Sequence, residues 1–378
     1  MTRCTGGWRS PRGAVSVVLK KAFPRSFPHP LTTDPPVERP ERAPSLRITD
    51  ADDDRAADHL SRGVVIGSPL DAAGVDPGYT FELTVSPGFD TTKPNTAKEC
   101  QDDGIVVRDF GSEPNITFVG IFDGHGRDGR KCAIFAAQEI AEFLVDHEKL
   151  YTDPMAALRE ASTHVNAKMH LSDFCRTKYS GTTACFGLLM GLNVFLANVG
   201  DSRAVLGRTG SKGLPEAVDL TFDHKPQDEP EKLRIELSGG TVSQQEYDPG
   251  QFLGPYRVFK RGTSAPGLAM SRSLGDYEAE MVGVIPDADC TQRRLQAEDR
   301  VLIVATDGLW EVFESQEAVE WVLEYMSDET RMNAMPVTQA LVEEAQMRWT
   351  KLDDDDDIVV DDTTVLCITI PQMPKEYY

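Results

Sequence analysis

Phe118-Val-Gly-Ile-Phe-Asp-Gly-His-Gly126 decides the reading of this chain. Alternation puts Ile116, Phe118, Gly120 and Phe122 on one face of a strand and Val119 and Ile121 on the other. Both faces are apolar, so the strand is expected to be buried on both sides. At its end stand a carboxylate, a glycine carbonyl and an imidazole in succession. Asp123 is a hard oxygen ligand, Gly124 lets an ion approach its carbonyl closely, and His125 can give or take a proton near neutral pH. The same grammar returns in Arg300-Val-Leu-Ile-Val-Ala-Thr-Asp-Gly308 and, reversed, in Asp361-Asp-Thr-Thr-Val-Leu-Cys-Ile-Thr-Ile370. Three aspartate-bearing strand ends point to a carboxylate-built site for divalent cations. A calcium loop is excluded, because the third and fifth positions counted from Asp123 are His125 and Arg127 rather than oxygen ligands.

The composition sets limits on that reading. The 378 residues, 40% hydrophobic and 26% charged, fit an ordinary globular protein of one large or two average domains. No apolar run approaches the ~18 residues of a membrane span, so no membrane insertion is expected. A formal charge of −22 argues against a nucleic-acid surface and fits a protein that gathers cations or meets basic partners. The seven cysteines show no CxxC spacing and several lie in apolar runs, which reads as buried free thiols in a reducing compartment.

Charge and proline divide the chain. Residues 1–42 hold eight Lys/Arg against three acids, a net of +5 that leaves −27 for the remainder. Residues 1–75 read as a disordered, proline-rich tail. The first 33 residues lack acids, as a mitochondrial transit peptide does, but serine is sparse and prolines interrupt any long amphipathic helix. Cytoplasmic or nuclear placement is therefore expected ahead of organelle targeting. A catalytic domain is expected over 76–372. Within it, helices are predicted over 129–147, 154–171, 229–237, 315–326 and 336–349, and strands over 183–189, 193–198, 204–206, 301–306 and 363–370. The turn Gly191-Leu-Asn193 makes the first two of these strands a hairpin. Strands clustered apart from helices predict an α+β fold, with helices outside stacked antiparallel sheets.

Each chemical motif also has a plainer reading. Asp-Gly is the commonest turn pair, so Asp123-Gly124 and Asp307-Gly308 could each merely end a strand. Asp201 in Asn198-Val-Gly-Asp-Ser-Arg203 could cap a hairpin, and Arg272 could form a structural ion pair with Asp276. Asp353–Asp357 reads as a solvated acidic loop, whereas Asp361-Asp362 abuts an apolar strand that fixes its position.

Taken in order, the segments resemble the metal-dependent protein phosphatases of type 2C, the PPM family. The resemblance rests on Asp123-Gly-His-Gly126, Ser180-Gly-Thr-Thr183, Asn198-Val-Gly-Asp-Ser-Arg203, Asp223-His-Lys-Pro226, Glu236-Leu-Ser-Gly-Gly240, Gly267-Leu-Ala-Met-Ser-Arg-Ser-Leu-Gly-Asp276, Ala305-Thr-Asp-Gly-Leu-Trp310 and Asp361-Asp-Thr-Thr-Val365. It spans about 80–370 and looks closest to plant and protist branches. The implied fold is a β-sandwich of two antiparallel sheets flanked by α-helices, with two Mn²⁺ or Mg²⁺ ions at one end. The resemblance makes Asp123 a bridge between both ions and gives the Gly124 carbonyl to one. It gives Asp307 and Asp361 to the other, and places Asp102 in the same metal site. Asp201, with Asp276, matches positions of a weaker third ion. His125 becomes the proton donor to the leaving oxygen. The implied substrates are phosphoserine and phosphothreonine proteins, and a monomer is expected.

Two departures stand out. Ala97 occupies the place of the family's usual arginine, so phosphate contact falls to Lys98 or Lys93, and Gln101 replaces the usual glutamate. The alternative function is a catalytically inactive member acting as a binding scaffold, against which the retention of Asp123, Asp307 and Asp361 counts. An unrelated two-metal nuclease is disfavoured by the negative charge.

Overall fold

The computed structural model describes residues 77–91, 98–113, 115–248, 250–352, 359–374 and 377. The expected tail over 1–75 lies outside them, as do Lys93, Ala97 and the acidic run 353–357.

Strand periodicity builds the molecule. One five-stranded antiparallel sheet runs, in spatial order, Thr80–Ser86, Thr363–Thr369, Asp299–Ala305, Arg203–Thr209 and Pro215–Asp219. The other runs Asp289–Arg294, Asn193–Val199, Ala184–Met190, Ile116–Phe122 and Asp103–Arg108. Val119 and Ile121 meet Leu302, Val304, Leu366 and Ile368 in the layer between the sheets. The alternate residues Ile116, Phe118 and Phe122 face Ile140, Leu144 and Leu158 of helices Gly129–Val145 and Pro154–His170. On the opposite flank Val301, Ile303, Val365 and Cys367 pack on Val319, Val322 and Leu341 of helices Ser315–Ser327 and Val337–Trp349. Each such buried side chain contributes about 1.5–3 kcal/mol. The result is a helix–sheet–sheet–helix sandwich, the expected fold class.

The predicted helices occur within one or two residues of their expected bounds, and local chemistry explains their ends. Asp153 caps Pro154–His170 by accepting from the Ala156 N–H at 3.1 Å, with Pro154 at the first helical position. Helix Glu229–Leu237 stops before Gly239, whose φ of 89° suits glycine. Met190 pairs with Asn193 across Gly191-Leu192, confirming the tight hairpin. A separate three-stranded unit, Gly240–Asp248, Gln251–Lys260 and Pro266–Leu268, forms a flap between the Gly239-Gly240 turn and the Gly267 motif. No helix among the described residues is long and apolar enough to cross a membrane.

Register then locates the acids. Asp103 lies opposite Phe122, which sets Asp102 beside Asp123. Ala305 pairs with both Val365 and Arg203, so Asp307, Asp361 and Asp201 arrive at one edge of the other sheet.

Candidate active site

The mouth of the sandwich is a cleft of about 380 Å³ whose walls include Lys98, Asp123, Gly124, His125, Asp307 and Asp361. Six of the eight residues singled out for the site therefore meet there. The other two, Asp102 and Asp201, are buried behind it, at 1% and 2% exposure.

Backbone contacts fix the Asp123 loop. The Asp123 N–H donates to Thr183 Oγ1 at 3.0 Å, and the Thr183 N–H donates to the Asp123 carbonyl at 2.9 Å. A Cβ on Gly124 would stand 2.3 Å from the Gly129 carbonyl oxygen and 2.5 Å from that of Gln101, so only glycine fits. Gln101 anchors the same loop, its Nε2 donating to the Gly126 carbonyl at 2.8 Å. Asp362, which sequence reasoning did not assign, is a staple: it accepts from the Gly88 N–H at 2.6 Å and the Gln101 N–H at 2.8 Å.

The electrostatics are those of crowded carboxylates. Burial first, then the charges of Asp102, Asp307, Asp361 and Asp201, hold the Asp123 carboxyl well above the usual range. Burial, with Asp201 and Asp361 next, does the same to Asp307. Asp102 is raised by burial and by Asp362 and Asp361, although Thr306 Oγ1 donates to it at 3.0 Å. Two ammonium groups relieve part of the strain. Lys98 Nζ lies 2.9 Å from Asp361 and 3.3 Å from Asp362, and Lys225 Nζ lies 2.8 Å from Asp201. Among the described residues no three His, Cys, Asp or Glu side chains are gathered into a ready-made metal site. Buried Oδ1 atoms of Asp102, Asp201 and Asp307 nonetheless have no hydrogen-bond partner. Hard oxygen donors left unsatisfied among crowded, buried carboxylates suit a hard divalent cation such as Mn²⁺ or Mg²⁺.

His125 Nε2 sits 2.5 Å from Asp276 Oδ2. Burial opposes the charged imidazole, but the Asp276 carboxylate outweighs it and the His125 pKa is raised. Asp276 is thus the partner of His125 and of Ser273 Oγ, at 2.8 Å. The expected Arg272–Asp276 pair is not formed; Arg272 instead pairs with Glu231 and Asp289, each at 2.8 Å. The flap contributes Arg257 to the cleft wall, a residue not among the aromatic and basic side chains of Thr241–Ala265 that the sequence offers for substrate choice, namely Tyr247, Phe252, Tyr256, Phe259, Lys260 and Arg261. Phe252 and Tyr256 are exposed. Strand alternation sets Arg257 and Tyr256 on opposite faces but does not tell which face meets the cleft.

Comparison with known proteins bears on the family and the fold. The family profile described as Protein phosphatase 2C matches residues 88–352. Probable protein phosphatase 2C 12 of Oryza sativa subsp. japonica is 31% identical over 293 residues, covering 66% of this chain and 72% of the relative. Probable protein phosphatase 2C 73 of Arabidopsis thaliana is 34% identical over 273 residues, covering 66% and 70%. Among solved structures, the serine-threonine phosphatase 2C from Toxoplasma gondii superposes with a TM-score of 0.65 at 21% identity, over 82% of this chain and 98% of that one. A C. elegans sex determining protein gives 0.60 at 20% identity, over 77% and 64%. These two likenesses speak to the fold.

Proposed function

Because the chain belongs to the protein phosphatase 2C family, we propose that it is an active, Mn²⁺- or Mg²⁺-dependent phosphatase of phosphoserine and phosphothreonine proteins. The observation that carries this reading is the convergence of Asp123, Asp307 and Asp361 on one cleft, backed by buried carboxylate oxygens that no protein donor satisfies. Asp123, the Gly124 carbonyl, Asp307 and Asp361 would hold two cations, with Asp102 behind them and Asp201 toward a weaker third. When bound, such cations supply charge neutralisation for a dianionic phosphate and make water acidic enough to attack near neutral pH.

The chain's own residues supply position and protons. The Asp276 carboxylate, against His125 Nε2, favours the charged imidazolium, and a charged His125 can give up a proton to the leaving serine or threonine oxygen, a contribution of roughly 10²–10⁴-fold. Thr183 and Gln101 hold the Asp123–Gly126 loop still while that transfer occurs. Lys98 follows directly in sequence on Ala97, lines the cleft and would orient the phosphate. Lys98→Ala should raise KM for a phosphopeptide about tenfold with kcat little changed, which is the mark of lost ground-state binding. An unaltered KM removes Lys98 from the site.

The decisive test is hydrolysis of an aryl phosphate with and without Mn²⁺. Activity is expected only with the ion, and turnover that survives chelation rejects the assignment. Complete absence of turnover with Mn²⁺ present favours the scaffold alternative. We further propose a monomer whose catalytic domain spans 76–372 and which works in the cytoplasm or nucleus; the six cysteines of the described residues are all free thiols, as a reducing compartment requires.

A further inference from the structure

We propose that Asn166 is a positioning residue for proton transfer: it locks the Gly275–Asp276 turn, and the turn holds the Asp276 carboxylate against His125. The inference rests on the reading of His125 as the group that protonates the leaving oxygen. Asn166 belongs to helix Pro154–His170, is 3% exposed and forms no part of the cleft wall. It shares the buried side of that helix with Leu158, Ala161, Val165 and Met169, all fully buried. A polar side chain in such company costs stability unless it is hydrogen-bonded. Ser162, the other buried polar residue of the helix, donates back to the Arg159 carbonyl of its own helix at 3.0 Å. Asn166 instead reaches off the helix, where its Oδ1 accepts from the Gly275 N–H at 2.8 Å.

What Asn166 holds is a strained turn. Strands Leu274–Gly275, Gly181–Thr182 and Gly124–His125 form a small antiparallel ribbon, in which Gly181 pairs with Gly275 on one side and His125 on the other. The Asp276 carboxylate must therefore cross the middle strand to reach the imidazole. Gly181 makes room for it, since a Cβ there would stand 2.2 Å from Asp276 Oδ2. The turn needs a φ of 96° at Gly275 and of 46° at Asp276. The second is a left-handed conformation that a non-glycine residue keeps where its surroundings impose it. Leu274–Gly275 is an outer strand of the ribbon, and its Gly275 N–H finds an acceptor in Asn166 rather than in the ladder. The Asp276 N–H donates to the Ser180 carbonyl at 3.0 Å and the Tyr277 N–H to the Thr177 carbonyl at 2.8 Å. One helical turn beyond Asn166, His170 grips the same region, with Nδ1 2.8 Å from Thr177 Oγ1 and Nε2 2.7 Å from Glu280 Oε2. Without the Asn166 bond Gly275 is free to relax, and Asp276 draws away from His125.

The test compares leaving groups in the whole chain. A threonine alkoxide needs a proton to depart, whereas p-nitrophenolate does not. His125→Gln should therefore lower kcat for a phosphothreonine peptide about tenfold or more beyond its effect on p-nitrophenyl phosphate. Asn166→Ala should show the same bias, about tenfold, with KM for the peptide little changed, because a misplaced acid costs transition-state rather than ground-state interaction. The double variant should be no more biased than His125→Gln alone, since Asn166 acts through His125. A second readout needs no turnover: the downfield imidazole N–H proton resonance of His125, identified by its loss in His125→Gln, should exchange away in Asn166→Ala. A merely structural Asn166 would lower both substrates alike, add its loss to that of His125→Gln and leave the resonance in place. Any of these three results overturns the proposal while the His125 reading stands. Equal losses on both substrates in His125→Gln itself overturn that reading and the proposal with it. Should Asn166→Ala not fold, Asn166→Ser decides, because its oxygen is one bond shorter and withdrawn from Gly275. The same bias is expected, and its absence overturns the assignment.

Discussion

Asp307→Asn is expected to lower Mn²⁺-dependent hydrolysis of an aryl phosphate by more than ~10²-fold without lowering the melting temperature of the metal-free protein. Partners outside the ligand shell are themselves worth roughly 10–100-fold in affinity or activity, so a direct ligand should cost more. The substitution keeps shape and removes charge. Its surroundings are pinned independently of the carboxylate: Trp349 Nε1 donates to the Gly308 carbonyl at 2.7 Å, and Trp310 Nε1 donates to the Ala305 carbonyl at 2.8 Å. Burial and the Asp201 and Asp361 charges hold Asp307 above the usual carboxylate pKa, so its charge works against folding at neutral pH. Removing that charge should leave stability unchanged or higher, which is how a residue kept for function at the expense of the fold behaves. Loss of both activity and stability would make Asp307 structural. Retained activity would remove it from the site.

The sequence made the ends of buried strands legible because a hydrogen-bonded ladder leaves little freedom in where it stops. Phe118–Phe122 and Val301–Ala305 are apolar on both faces, so Asp123 and Asp307 had to emerge where burial ends. Their meeting followed from antiparallel pairing, in which the end of one strand adjoins the start of the next; hence Asp361 before Thr363 joins them. Contacts between loops were not legible. Arg272 and Asp276 are near in sequence, yet the fold turns Asp276 to His125, 151 positions away, and Arg272 to Glu231, 41 positions away. Local spacing carries no information about such partners. Arg257 escaped notice for a different reason: the flap is largely exposed, so apolar alternation there is weak and does not mark which face meets the cleft.

Glu231→Gln is expected to cost about 3–5 kcal/mol, the usual penalty for breaking a buried ion pair from one side. Glu231 is 7% exposed in its side chain and joins its own helix to the Ser271–Arg272 segment. Arg234 reaches it through two bonds of 2.8 and 2.7 Å, Arg272 Nη2 at 2.8 Å, and Ser271 Oγ at 2.6 Å. An amide cannot accept from both guanidinium groups with both atoms, and two partly buried arginines would lose their counter-charge. The effect should travel toward the catalytic cleft. Arg272 also holds Asp289 at 2.8 Å, Asp289 lies 3.2 Å from His224, and His224 clamps Gly200 beside Asp201. Burial opposes the Glu231 charge, but the Arg234, Arg272 and Ser271 bonds outweigh it and the pKa falls well below the carboxylate range. A group depressed on folding stabilises the protein above its unfolded pKa of about 4.3 and loses that contribution as pH falls toward the folded value. Melting temperatures of both proteins from pH 7 to pH 3 check this. The gap should be roughly 6–15 °C at pH 7 and narrow only below about pH 4.3. A gap already closed at pH 6 would show that Glu231 is not the residue whose charge joins helix Glu229–Leu237 to the Ser271–Arg272 segment.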